Sequence, residues 1–182
     1  VKKNHKEAVR WYRVGAQRGC ETSQFNLGSV HLQGQGVKTN HKEAVRWYQL
    51  AGEQGHAKAQ FNLGFSYHNG HGVEKNLKKA LLWYRKAAEQ GCANAQLCLA
   101  RMYQHGDGVE KNFQEALEWG CKAFKQGFAG AQFTQGVERD LKDVLQWGRN
   151  AAKQGFVGAP LSPGLQKEFI EALQWYRTVV EQ

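Results

Sequence analysis

Proline and methionine are nearly missing from this 182-residue chain, with 2 and 1 residues, and no long apolar run occurs anywhere in it. So little proline argues against a Pro-rich linker protein. A bilayer-spanning helix needs roughly 18 consecutive apolar residues, so no membrane span is expected. The start is not basic-then-apolar in the manner of a signal peptide. Val1 stands inside a repeat without a preceding Met, which leaves localisation open. Cysteine is limited to 4 residues. Glycine is the opposite case: 21 residues need places where helices end or backbones touch.

Sliding the sequence along itself supplies those places, because the chain repeats with a period of 36. Segments 1–36, 37–72 and 73–108 align without gaps, and Asn4 to Tyr12 recurs letter for letter at Asn40 to Tyr48. All six tryptophans share one phase. Trp11, Trp47, Trp83 and Trp119 lie 36 apart, whereas Trp147 and Trp175 each follow after 28, so two later repeats have lost 8 residues. The expected organisation is one repeat domain over 1–182, with shortened repeats at 109–136 and 137–164 and a partial one at 165–182.

Each full unit reads as two helices. Asn40 is a natural N-cap with Glu43 three residues on, a capping-box pattern that returns at Asn4/Glu7 and Asn112/Glu115. From it Ala44, Trp47, Tyr48 and Ala51 form an apolar stripe at helical spacing that stops at Gly55. Gly19, Gly91, Gly127 and Gly155 repeat that stop. Ala59, Leu63, Gly64 and Tyr67, closing at Gly70, mark a second and shorter helix with small residues where another backbone can approach. The Trp and Tyr members lie with the alanines and are expected in the core.

The order Ala59-x3-Leu63-Gly64-x2-Tyr67-x2-Gly70-x-Gly72-Val73, then Lys79-Ala80-x2-Trp83-Tyr84-x-Lys86-Ala87-Ala88-x-Gln90-Gly91, resembles the Sel-1-like repeat and covers nearly the whole chain. The resemblance implies an all-α fold, a right-handed alpha-alpha superhelical solenoid of antiparallel helix pairs related to tetratricopeptide repeats, in proteins that serve as adaptors. Three departures stand out. Ala100 stands where Gly28 and Gly64 stand, Gly120 and Gly148 replace the Tyr of the Trp-Tyr pair, and Asn replaces the usual Asp cap in four repeats, Asp140 alone keeping it.

Other motifs dissolve under the repeat. Gly34-Gln35-Gly36, Gly70-His71-Gly72 and Gly106-Asp107-Gly108 lack the preceding strand and third glycine of a dinucleotide loop, and read as inter-helix turns. His31, His68, His71 and His105 sit near helix ends without a recurring partner, so neither metal nor cofactor is expected. Cysteine-rich relatives of the family bridge helices through pairs with a seven-residue gap, whereas Cys92 and Cys98 have five residues between them, so free thiols are expected. Those relatives have been linked to β-lactam binding, but no Ser-x2-Lys occurs here, and no catalytic activity is expected.

The net charge is +9, with an N-terminal excess at Lys2, Lys3, Lys6, Arg10 and Arg13. Two functional readings follow. A basic surface can hold nucleic acid or another polyanion, yet no base-reading module accompanies the charge. The repeat favours a non-catalytic scaffold that holds a protein or peptide. A step of 100° per residue groups Ala59, Leu63 and Tyr67 and turns Phe61, Asn62 and Phe65 away from them. In tetratricopeptide-like solenoids such helices line the concave surface, so the resemblance places Asn26, Ser29, Asn62, Phe65 and Arg101 in a groove open to a partner.

Overall fold

The computed structural model describes residues 4–128 together with Gln146 and Ile170. Among the described residues are seven α-helices: α1 (His5–Gln17), α2 (Glu21–Gln33), α3 (His41–Glu53), α4 (Ala57–Asn69), α5 (Leu77–Glu89), α6 (Ala93–His105) and α7 (Phe113–Phe128). No strand occurs among them. The chain divides into two compact units, Val1–Cys92 and Ala93–Gln182. α1 to α5 belong to the first and α6 and α7 to the second.

Helices α1, α3, α5 and α7 begin where asparagine ends the preceding turn. The side chains of Asn4, Asn40 and Asn76 accept from the backbone N–H of Glu7, Glu43 and Lys79 at 3.3, 3.1 and 2.9 Å, and Asn112 does the same for Glu115 at 3.1 Å. Only half of the expected capping box forms. The N–H of Asn40 does not turn to Glu43 but donates to the His31 carbonyl at 2.9 Å; Asn76 and Asn112 donate likewise to Tyr67 and Tyr103 at 2.8 and 2.9 Å. The cap therefore fastens each helix to its predecessor as well as starting it. Its Glu is dispensable, which is why Lys79 can replace it.

Glycines in the left-handed region end α2 and α4. Gly34 at φ 73° and Gly70 at φ 76° donate to Val30 and Ser66 at 2.9 Å. The second glycine of each Gly-x-Gly turn works differently. A Cβ on Gly36, at φ 78°, would stand 2.8 Å from the His5 backbone, so this turn closely approaches the start of α1. Gly127 lies inside α7 and does not stop it, since glycine permits a left-handed turn without enforcing one. The second helix type is also not shorter: α2, α4 and α6 have 13 residues each, as α1, α3 and α5 have. Their first residues, Glu21, Ala57 and Ala93, stand ahead of the apolar stripe.

The core of the first unit is two overlapping clusters. Val9, Ala16, Leu27 and Val30 are covered by Trp47, and Ala44, Val45, Tyr48, Ala51, Ala59 and Leu63 by Trp83 and Phe25. The aromatic pair divides its labour. Tyr48 and Tyr84 are about 1% exposed, but Trp47, Trp83 and Trp119 are only half-buried and Trp11 is 69% exposed. The expectation of a wholly buried Trp stripe is thus corrected. Trp47 and Trp83 lie over the preceding repeat's cluster, Trp119 packs on Ala100 together with Leu117 and Cys121 of its own helix, and Trp11 has no described helix before it to cover.

Tyrosine is buried because glycine makes room. A Cβ on Gly28 would stand 2.7 Å from the Tyr48 ring, and one on Gly64 would stand 2.7 Å from that of Tyr84. In the second unit the same phase holds Ala100 and Gly120, so both departures from the repeat fall on one contact. The tyrosine has become glycine and the glycine has gained a methyl. Ala100 packs there in a cluster with Leu117 and Cys121. The expected repeats at 137–164 and 165–182 lie outside the described residues.

Candidate functional site

A groove of about 520 Å³ opens in the first unit between α2 and the start of α4. Glu21, Thr22, Phe25 and Asn26 form one wall, and His56 and Lys58 the other. His56 fixes the shape. Its ring stacks on Phe25 with centroids 4.6 Å apart and 20° between planes, while its Nδ1 accepts from the Ala59 N–H at 3.2 Å and so caps α4. The Nδ1 must be unprotonated to accept.

Glutamines join the repeats at this level. The side-chain amide of Gln54 donates to Gln24 Oε1 and that of Gln90 to Gln60 Oε1, both at 2.7 Å. The buried Gln24 and Gln60 in turn donate to the carbonyls of Ala16 at 3.3 Å and Gly52 at 2.9 Å. Each buried amide thus finds partners on both sides, as burial of a polar group requires. Sequence reasoning missed these residues, along with Phe25 and His56 as groove walls. The signal was available in Gln24, Gln60 and Gln96, which share one phase of the period.

The expected partner-binding residues are distributed as follows. Asn26 is half-buried and lines the groove. Ser29 and Asn62 serve the buried Tyr48: its hydroxyl donates to Ser29 Oγ at 3.3 Å and also bonds Asn62. Ser29 Oγ itself donates to the Phe25 carbonyl at 3.0 Å. Burial pushes the Tyr48 phenol above its usual pKa, against a smaller opposite pull from these two bonds. Phe65 is 46% exposed, with its ring edge-on to His71 at 5.8 Å. Arg101 is half-buried on α6, in the second unit.

None of the four cysteines forms a disulfide. The exposed Cys20 thiol is held below its usual pKa, chiefly by the Ser23 side-chain hydrogen bond. Among the described residues no three of His, Cys, Asp and Glu gather where a metal could sit. What the first unit presents is recognition chemistry: an aromatic stack, amide edges, and one charge of each sign at Lys58 and Glu21.

The family model of the Sel1 repeat matches residues 1–20, 22–56, 57–92 and 93–128. The chain belongs to the Sel1 repeat family. The last three matches coincide with the pairs α2–α3, α4–α5 and α6–α7, so the family's unit and the 36-residue period differ only in origin.

Solved structures agree. The chain is similar to a Sel1 repeat protein from Oxalobacter formigenes, with 31% identity and a TM-score of 0.68 over 94% of this chain and 78% of that one. It is also similar to c5321, a protective antigen of uropathogenic Escherichia coli with an SLR fold, at 32% identity and a TM-score of 0.69, over 100% of this chain but 42% of that one. Helicobacter pylori cysteine rich protein B matches at 27% identity and a TM-score of 0.56, over 70% of this chain and 91% of that one. No curated protein matches the chain. The fold is therefore the helical repeat solenoid of the Sel1 family, whose members are generally protein-interaction scaffolds. Among the described residues no helix is long and apolar enough to cross a membrane.

Proposed function

We propose that this Sel1 repeat chain is a non-catalytic adaptor that holds a peptide or protein segment along α2 and α4. The observation that supports this reading most directly is the groove walled by Phe25, Asn26 and the His56 stack. Phe65, exposed further along α4, is an aromatic side chain of the type that anchors interfaces. Ser29 and Asn62 act one layer down, where they hold Tyr48 and through it the spacing of α2 and α3. Arg101 stands as a separate contact residue of the second unit.

The test is affinity capture from native lysate, with wild type against Phe65→Ala combined with Asn26→Ala, and against Arg101→Ala separately. The expected outcome is a loss of about 2 kcal/mol in capture of the main retained protein by the double variant, with helix content unchanged. Equal retention by a folded double variant moves the site off these helices. Nucleic acid as the retained species, released steeply by salt, would favour the polyanion reading instead.

A further inference from the structure

The charge of the chain is confined to one unit. Residues 1–92 carry 15 of the 25 Lys and Arg and 6 of the 16 Asp and Glu, a net +9, while residues 93–182 carry ten of each and are neutral. Much of the excess lies on the exposed faces of α1, α3 and α5, whose cations do not line the groove. Lys42, Arg46 and Leu50 follow at four-residue steps, all exposed, and occupy one line about 12 Å long on α3. The repeat copies that line to Lys6, Arg10 and Val14 on α1. On α5 it becomes Lys78, Leu82 and Lys86, with cation and aliphatic exchanged.

Two features decide what such a surface fits. Lys6, Arg10, Lys42 and Lys78 have no ion-pair partner among the described residues, and Arg46 meets Glu43 only at 3.8 Å. Each line also exposes an aliphatic side chain: Val14 is 41%, Leu50 38% and Leu82 52% exposed. Phosphodiester backbones satisfy the cations but give the aliphatics nothing to bury against. An acidic lipid headgroup layer satisfies both, since its phosphates and carboxylates meet Lys and Arg while small apolar side chains enter the acyl boundary. Glu53 and Glu89 stand one turn beyond Leu50 and Lys86, at the C-terminal ends of their lines. They bound the cationic stretch at that end, so the approach is made by Lys42, Arg46 and Leu50 on α3 and by Lys78, Leu82 and Lys86 on α5.

We infer that the outer face of α1, α3 and α5 docks the first unit on an anionic lipid surface. The contact is peripheral and independent of the groove, so the chain can hold a protein segment on one side while resting on lipid with the other.

Flotation with vesicles of phosphatidylcholine containing phosphatidylserine, against phosphatidylcholine alone, tests this on the full chain. Wild type should float with the anionic vesicles only and be released by high salt. Lys42→Glu with Lys78→Glu should weaken binding by at least about tenfold. Lys111→Glu with Lys122→Glu, the same change of net charge placed in the second unit, should leave it within about twofold. Leu50→Ser with Leu82→Ser, which alters no charge, should weaken it by at least about threefold. Circular dichroism verifies that each variant is folded. Absence of binding, equal loss from both charge-reversed pairs, or binding of duplex DNA or polyglutamate with none to vesicles overturns the proposal.

Discussion

At the residue scale, the decisive contacts are pairs whose members lie far apart in sequence and recur together with the period. Gly64 and Tyr84 form such a pair, as do Gln60 and Gln90; each makes sense only once the partner is known. This is why the sequence shows the aromatic doublet clearly yet does not show which ring is buried. Trp and Tyr are adjacent on the helix, and periodicity alone assigns both to the core. The structure separates them because a Cβ on Gly28 or Gly64 would stand 2.7 Å from the Tyr ring, whereas one on Gly52 would clear the Trp83 ring at 3.5 Å, an ordinary contact. Tyr48 carries a testable consequence. Burial holds its phenol above the usual pKa, whereas the unfolded chain releases the proton at about 10. Above that pH the unfolded state binds fewer protons than the folded one, so stability contributed below about pH 10 is lost as pH rises. Tyr48→Phe removes this loss while forfeiting the hydroxyl's bonds to Ser29 and Asn62, at about 1 kcal/mol. Urea unfolding should show the variant weaker at neutral pH and the gap narrowing through alkaline pH. A gap of constant size would contradict the assigned burial.

At the element scale, the number, type and order of the helices between residues 4 and 128 were legible, because α1, α3, α5 and α7 start at Asn and most stops carry Gly at one phase. The length of α2 and α4 was not, since their first turns hold Glu21, Thr22, Ala57 and Lys58, which continue no apolar stripe. Nor was the cap's second bond, which runs from Asn40 to a carbonyl of the preceding helix and has no local signature. The groove was half legible: Asn26 came from phase comparison, but the His56 stack depends on the packing of α4 beside α2. The Trp positions show how an element draws stability from its neighbour. Trp47 covers the cluster of Val9, Ala16, Leu27 and Val30, so Trp47→Ala opens a gap between α3 and the repeat before it. The expected cost is about 2–4 kcal/mol, read from chemical denaturation. Trp11, 69% exposed, covers no such cluster, and Trp11→Ala should cost less than about 1 kcal/mol. Similar losses at the two positions would mean that the Trp side chains act within their own helix and not between repeats.

For the whole molecule, the period of 36 is a statement about interchangeable surfaces. In a linear repeat array each unit touches only its neighbours, and stability is approximately a sum of unit and interface contributions. Removing residues 37–72 from the first unit tests this directly. The junction then joins Gly36 to Val73, the residue that occupies the place of Val37, so the turn retains its sequence order. α5 should meet α2 where α3 stood. Gly28 then receives Tyr84 in place of Tyr48, Gln24 receives Gln90 in place of Gln54, and the Asn76 N–H finds the His31 carbonyl that bonded Asn40. Trp83 falls over the cluster that Trp47 covered. The glycine–tyrosine and glutamine–glutamine pairs keep partners of the same residue type, although Cys92 takes the place of His56 beside Phe25, and the shortened chain should fold with unchanged helix content per residue and a lower melting temperature. Removing only residues 37–54 deletes α3 and sets α4 against α2, with no tyrosine for Gly28 and no capping Asn at the junction. That chain should lose cooperative unfolding when followed by circular dichroism. Cooperative folding of both shortened chains would show that helix content alone, rather than the pairing of glycine with tyrosine and glutamine with glutamine, specifies the stack.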